Sequence, residues 1–242
     1  MIHARRRHLL TRIAALASLG VFLAASTGAS AQMGGHDHGT PPAATACAAM
    51  ATPMAGEQDH GDHGGTPSDA AEVEFDQLYI DMMLPHHGSI IALAETALPV
   101  LTDPRLQQMA EDIIVTQTAE NEQLTQWRTE WYGSGEPATD SATMELMLEA
   151  MPVGTMDEMM REMDAQFQVE TFCAAANPDL AFIQQVIPHH QVAIDASEVA
   201  VEQAVHPELA VFAERVITAQ QAEIDLLNEI IAEYEAAGTP VS

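Results

Sequence analysis

Two adjacent histidines occur twice in this sequence, each time directly after a proline, in LPHHGSIIALAE (84–95) and IPHHQVAIDASE (187–198). Helical spacing places the second histidine of each pair in an apolar stripe and the first beside that stripe. Histidine is the commonest metal-binding side chain. Four imidazoles near one axis therefore predict a metal site, and the alternative is a set of core histidines that bond to carbonyls or carboxylates. The candidate ligands are His86, His87, His189 and His190.

The residues one turn before the first pair favour copper as the metal. Met82 and Met83 precede His86 and His87 by four residues each, so a helix places a thioether beside each imidazole. Sulfur together with imidazole favours copper, above all Cu(I), over hard ions. The second pair lacks these methionines, so we expect the two half-sites to differ.

Four further histidines lie among glycines and aspartates in the N-terminal part of the chain: His36, His38, His60 and His63. Flexible histidine and aspartate tracts can wrap Cu(II), Zn(II) or Ni(II) with little selectivity. We interpret this segment as a capture arm for metal ions, and the alternative is a polar linker with a histidine bias.

Methionines are dense between the two histidine pairs, at Met144, Met147, Met151, Met156, Met159, Met160 and Met163. A methionine in a core is an adaptable gap-filler. Their density also makes Cu(I) binding a hypothesis, and the sequence does not decide between the two roles.

Carboxylates near the histidines are the third type of candidate, at Glu95, Glu198, Glu120 and Glu223. A dinuclear carboxylate site of the ferritin type uses Glu-x-x-His pairs on bundle helices, and no predicted bundle helix carries one. We therefore interpret these glutamates as residues that orient histidines or face solvent.

The histidine segments belong to a longer internal repeat, in which an ungapped offset of 103 residues also superimposes Asp76 on Asp179 and Glu120 on Glu223. Apolar periodicity predicts no strands and an all-α chain, with shorter helices between 141 and 173. Proline inside a helix removes an N–H and favours a bend, which we expect at the histidines. The repeat predicts a four-helix bundle of the ferritin-like type, built from two helical hairpins joined by a Met-rich helical crossover. The long helices are predicted at 72–100, 104–132, 179–204 and 207–236.

The chain divides by composition into three segments. Residues 1–31 have the pattern of a signal peptide, 32–70 of a disordered tether, and 71–237 of the bundle domain. The domain comprises unit one (72–132), the crossover (133–177) and unit two (178–237).

The charge balance restricts the partners, because the sequence has no lysine and a formal net charge of −28. Nucleic acid is excluded, since phosphate binding needs clustered cations. The acidic surface either concentrates cations or keeps the protein soluble in salt. Cys47 and Cys173 either form a disulfide or stay free.

The repeated Asp-x(8)-Pro-His-His pattern, the later Gln-x-x-Glu of each unit and the Met-rich crossover together resemble DUF family 305 over about residues 74–236. The resemblance implies an exported, ferritin-like helical protein, and it implies copper handling because some members of the family bind copper. The family's methionines before the double histidine are matched here by Met82 and Met83 in unit one, and unit two lacks them.

We therefore expect a non-enzymatic protein of the periplasm or cell exterior that sequesters or ferries copper as Cu(I) or Cu(II). Its expected partners are metal ions and other exported copper-handling proteins, and we expect no membrane insertion of the mature chain. One alternative is a dinuclear-metal oxidoreductase. The other is a structural acidic helical protein with no metal role.

Overall fold

Seven α-helices lie within residues 73–239, which together with Cys47 are the part of the chain that this computed structural model describes. They are α1 (Phe75–Ala97), α2 (Pro104–Tyr132), α3 (Ser141–Ala150), α4 (Met156–Met163), α5 (Ala165–Cys173), α6 (Pro178–Gln203) and α7 (Pro207–Ala236). No strand occurs among these residues, so the predicted all-helical fold is confirmed for them. None of these helices is both long enough and apolar enough to span a bilayer. The signal segment 1–31 and the four tether histidines lie outside the described residues.

The ends of the long helices follow local signals in the sequence. Pro104 and Pro207 occupy the first turns of α2 and α7, where a missing N–H costs nothing, and both helices have the predicted bounds. Gly133 ends α2 with a φ of 82°, a left-handed conformation that favours glycine. Helix α1 is shorter than predicted, because residues 98–100 form a turn.

The four long helices form two hairpins, in which α1 packs on α2 and α6 packs on α7. The hairpins meet where α1 packs on α6, and the crossover helices α3, α4 and α5 also pack on α1. The two helices that carry the histidine pairs therefore lie against each other in the interior. The finer assignment to a ferritin-like four-helix bundle stays a prediction.

Asp76 and Asp179 hold the two units together by capping each other's hairpin turns. Asp179, in the first turn of α6, accepts the N–H of Thr102 at 2.7 Å in the turn between α1 and α2. Asp76, in the first turn of α1, accepts the N–H of Val205 at 2.9 Å in the turn between α6 and α7. Thr102 and Val205 are equivalent in the repeat. The repeated aspartate is thus a reciprocal cap between the units.

A buried ion pair breaks the symmetry of the repeat. The guanidinium of Arg128 in α2 donates to both carboxylate oxygens of Asp81 in α1, and it also reaches the carbonyl oxygen of Ser134 at 2.7 Å. Both side chains are almost fully buried. The equivalent positions in unit two are Gln184 and Ile231, so unit two has no ion pair there.

A disulfide joins Cys47 to Cys173 at the end of α5, with the Cα atoms 5.7 Å apart. The sequence left open whether these cysteines pair or stay free, and the structure pairs them. The bond therefore attaches the N-terminal segment to the helical domain at residue 47.

Candidate metal site

Both histidine pairs lie in the middle of long helices. Helices α1 and α6 continue through Pro85 and Pro188 to Ala97 and Gln203. Each proline lacks the N–H that would bond to the carbonyl four residues earlier, so the helix ladder is interrupted one residue before the histidines. Because α1 packs on α6, both pairs face the interior.

All four imidazoles are buried, with 1% of His86 and none of the other three exposed. The rings of His86 and His189 lie 3.6 Å apart between centroids, with their planes inclined by 33°. His87 and His190 flank this central pair, at 6.3 Å and 6.1 Å from their sequence neighbours. The core stripe predicted the burial of His87 and His190, but the central pair is formed by His86 and His189, which the helical spacing placed beside that stripe.

The sequence led us to expect that the four rings converge on one point, and they do not. Among the described residues, no three His, Cys, Asp or Glu side chains are placed to hold one ion together. The histidines form instead one central pair and two flanking rings. Helix packing brings the two rings of the central pair against each other, whereas the flanking rings contact glutamates of α2 and α7.

Each flanking histidine meets a glutamate from the other helix of its own hairpin. Nε2 of His190 donates to Oε2 of Glu223 at 2.5 Å. Nε2 of His87 lies 3.0 Å from Oε2 of Glu120, but its N–H is not aligned on that oxygen as a hydrogen bond requires. The sequence signal for these contacts was the repeated Gln-x-x-Glu. Of the two roles that the sequence offered for these glutamates, orienting a histidine or facing solvent, the contacts favour the first.

Within the central pair, His189 is held by backbone and hydroxyl oxygens. Its Nε2 lies 3.1 Å from the carbonyl oxygen of His86 and 3.0 Å from Oγ of Ser89. The hydroxyl of Ser89 lies within hydrogen-bond distance of the carbonyl oxygens of His86, at 2.7 Å, and of Glu162, which share its one proton. Because a carbonyl can only accept, this contact favours the tautomer of His189 with the proton on Nε2 and the lone pair on Nδ1.

Several ring nitrogens in this cluster have no hydrogen-bond partner among the described residues. They are both nitrogens of His86, both of His87, Nδ1 of His189 and Nδ1 of His190. Buried side-chain polar atoms are nearly always paired in native proteins. A cluster of unpaired imidazole nitrogens is therefore an arrangement that a bound ion would satisfy.

The central pair is neutral at neutral pH. Burial lowers the pKa of His86 well below its ordinary value, and the neighbouring rings of His87 and His190 lower it further. Burial also lowers the pKa of His189, again with help from the neighbouring imidazoles. A neutral imidazole offers a lone pair, which is the form that binds metals.

Two grooves lie between α2 and α7, beside the glutamates that contact the flanking rings. One groove, of about 440 Å³, is lined by Glu120, and the other, of about 460 Å³, by Glu223. The side chains of these glutamates are 20% and 22% exposed, whereas the imidazoles they meet are fully buried. Each carboxylate therefore stands between solvent and a histidine.

Met82 and Met83 are fully buried one turn before the first histidine pair. They belong to one apolar cluster with the crossover methionines Met144, Met147, Met151, Met156, Met159 and Met163. Met160 departs from this group and is 49% exposed. Six of the seven crossover methionines thus belong to the same apolar cluster as the methionines that precede the first histidine pair.

Glu95 and Glu198 are exposed, so they fit the expectation that they face solvent.

Residues 76–231 match the family model described as Domain of unknown function (DUF305). Among solved structures, CopM in the Cu(II)-bound form is 27% identical with a TM-score of 0.52, covering 66% of this chain and 97% of CopM. CopM in the Cu(I)-bound form is 28% identical with a TM-score of 0.53, covering 66% of this chain and 96% of CopM. No curated protein matches this chain.

A DUF305 protein from Streptomyces coelicolor is 19% identical, with a TM-score of 0.53, over 66% of this chain and 93% of its own. At that identity the likeness concerns the fold alone.

Proposed function

Because this chain belongs to the DUF305 family, whose model matches residues 76–231, we propose that it is a copper-binding protein that sequesters or ferries the ion. The observation that carries the proposal is the buried cluster of four imidazoles, in which six ring nitrogens have no hydrogen-bond partner within the described part of the chain. CopM, which has this fold, was crystallised with Cu(I), Cu(II) and Ag, and this supports the choice of copper.

The ligand set suits copper in both oxidation states. Imidazole binds both Cu(II) and Cu(I), and the cluster offers four imidazoles, those of His86, His87, His189 and His190. Met82 and Met83 would add thioethers for Cu(I) in unit one. Because no three described ligands lie ready around one point, copper would be held after the rings turn toward it. A buried ion held in this way is kept from redox cycling with solvent.

The tether would act before the helical domain. Its four histidines, His36, His38, His60 and His63, would capture ions from solvent, and the grooves beside Glu120 and Glu223 would admit them to the flanking rings. We propose binding and transfer without catalysis. Other exported copper-handling proteins would supply or receive the ion.

The proposed place of action is the periplasm or the cell exterior. The composition of residues 1–31 is that of an export signal. The disulfide between Cys47 and Cys173 supports this place, since disulfides persist in oxidising compartments and are rare in the cytosol.

A test must separate the helical domain from the tether. We define the tether-silent chain as the protein with all four tether histidines replaced by alanine. This chain, purified without an affinity tag, is expected to bind Cu(I) and Cu(II) at micromolar concentration or below. The combined variant His86→Leu, His87→Leu, His189→Leu and His190→Leu should lose that binding, because leucine fills the space of a buried ring without offering a lone pair.

The helical signal in circular dichroism shows whether the fourfold variant folds. If it does not fold, two double variants provide a second measurement: His86→Leu with His87→Leu, and His189→Leu with His190→Leu. Each double variant should bind less copper than the tether-silent chain. Equal copper binding by the folded variants and the tether-silent chain would remove the histidine cluster from the function. No copper bound by the tether-silent chain would favour the structural alternative.

A second candidate, a dinuclear oxidoreductase, is favoured by one observation: carboxylates of Glu120 and Glu223 do reach His87 and His190. Such an enzyme needs carboxylates beside histidines and an open coordination position for oxygen. Anaerobic loading with Fe(II) followed by oxygen would test it. Oxygen consumption with multiple turnovers would support the enzyme, whereas sequestration predicts none.

A further inference from the structure

Three of the four core histidines share one pattern of contacts. In each, Nε2 lies next to an oxygen that can accept a hydrogen bond, and Nδ1 has no partner in the part of the chain that the structure describes. The acceptor is Oε2 of Glu120 for His87, the carbonyl oxygen of His86 for His189, and Oε2 of Glu223 for His190.

This pattern selects one tautomer of the neutral ring. A neutral imidazole has one N–H and one lone pair, and a carboxylate or carbonyl oxygen facing Nε2 can only accept. The proton is therefore favoured on Nε2 and the lone pair on Nδ1. In metal sites, a ligating histidine almost always donates its other N–H to a carboxylate or a carbonyl, which fixes the ring and raises its basicity.

We propose that Glu120 and Glu223 are positioning residues that hold His87 and His190 in the Nε2-protonated tautomer, so that Nδ1 is the nitrogen that binds copper. The inference rests on the proposed function for the identity of the ion. It goes beyond the orienting role that the sequence suggested for these glutamates, because it specifies the tautomer that they hold and names the ligating atom of each flanking ring. The glutamates act through the imidazoles.

The surroundings of the two glutamates support this role over that of ordinary surface acids. About four-fifths of each side chain is covered, and each carboxylate contacts a buried ring. Glu198, by contrast, is exposed in a groove between α6 and α7. The same Gln-x-x-Glu positions in both units bring a carboxylate to the second histidine of each pair.

The two units differ in how firmly the tautomer is held. The hydrogen bond from His190 to Glu223 is formed, with 2.5 Å between nitrogen and oxygen. His87 and Glu120 lie at 3.0 Å without hydrogen-bond alignment. The loss of Glu223 should therefore have a larger effect than the loss of Glu120.

The first measurement needs no metal. In the ¹⁵N-histidine-labelled, metal-free tether-silent chain, long-range ¹H–¹⁵N correlation spectra should show His190 and His189 protonated at Nε2. Glu223→Leu removes the acceptor and should redistribute His190 between the two tautomers. Glu198→Leu is the matched control and should leave the spectrum of His190 unchanged.

The second measurement is Cu(II) affinity, by competition with a chelator of known affinity. Partners of ligating histidines typically contribute about 10–100-fold to metal affinity, so Glu223→Leu should weaken Cu(II) binding by about that factor. Glu120→Leu should weaken it less, and Glu198→Leu not at all. If Glu223→Leu does not fold, Glu223→Gln keeps the shape of the side chain, and its amide accommodates either tautomer.

Two outcomes would overturn the inference: His190 protonated at Nδ1 in the parent chain, or variants of Glu223 with the Cu(II) affinity of the Glu198 control. An absence of copper binding in a parent chain that shows the expected tautomers would contradict the proposed function instead. The two failures are thereby distinguished.

Discussion

His86 and His189 occupy equivalent positions in the internal repeat, and their rings face each other with 3.6 Å between centroids. When equivalent residues of two similar units contact each other, an approximate two-fold axis passes between them. The axis relating the hairpins therefore runs through the middle of the histidine cluster. This places the flanking pairs, His87 with Glu120 and His190 with Glu223, on opposite sides of the same axis.

The thioethers of unit one should matter for Cu(I) and not for Cu(II). The double variant Met82→Leu and Met83→Leu in the tether-silent chain keeps the size and apolarity of two fully buried side chains, so the fold should tolerate it. We expect Cu(I) affinity to fall at least tenfold, about 1.4 kcal/mol, because sulfur is the softer ligand. Anaerobic competition with a Cu(I) chelator measures this, with exposed Met160→Leu as the control. A fall in Cu(II) affinity of the same size would contradict the assignment.

Acid should destabilise the metal-free protein. Burial lowers the pKa of His86 and His189 below the ordinary 6.5 in the folded chain. As the pH falls through the ordinary value, the unfolded chain takes up protons that the folded chain does not, so the free energy of unfolding decreases. The slope is about 1.4 kcal/mol per pH unit for each histidine.

Urea unfolding between about pH 7.5 and about pH 5.5 measures how the free energy of unfolding decreases with falling pH. Above the ordinary pKa of a histidine, the free energy of unfolding should no longer depend on these residues. The variant His189→Leu is the comparison, and its free energy of unfolding should depend less steeply on pH. The same slope in parent and variant would show that this histidine does not resist protonation in the fold.

The reciprocal caps should contribute independently to stability. Asp76→Ala and Asp179→Ala each leave backbone N–H groups of the opposite hairpin turn without an acceptor, at a cost of about 1–3 kcal/mol in the free energy of unfolding. The two caps lie at opposite ends of α1, so the double variant should equal the sum of the singles within about 0.5 kcal/mol. Chemical denaturation measures all three, with the exposed Asp225→Ala as control. A double variant no less stable than the singles would refute independent capping.

The buried ion pair of unit one should be replaceable by the residues of unit two. Arg128→Ile leaves Asp81 buried and unpaired, which should cost about 3–5 kcal/mol. Adding Asp81→Gln recreates the pair found at Gln184 and Ile231 and should restore part of that loss. Thermal and urea unfolding of the single and double variants measure the recovery. If the double variant were less stable than Arg128→Ile alone, the unpaired charge of Asp81 would not be the cause of the destabilisation.

Much of the fold could be predicted because its signals are local. The starts of α2 and α7 coincide with Pro104 and Pro207, and apolar periodicity defined the lengths of the long helices within a few residues. The same periodicity predicted that the double histidines are buried, since a residue's face on a helix depends only on its spacing from its neighbours. The sequence therefore determined the helices, the repeat and the residue types of the site.

The tertiary structure alone decided which atoms meet. The contact between His190 and Glu223 joins residues 33 positions apart, and its existence depends on how α6 and α7 are rotated against each other. The same holds for the ring contact of His86 with His189 and for the pairing of Cys47 with Cys173. A sequence pattern fixes the face of one helix but carries no information on the relative rotation and offset of two helices, which arise from side-chain packing between them. For this reason the four rings were predicted to be buried, whereas their division into one central pair and two His–Glu pairs was not.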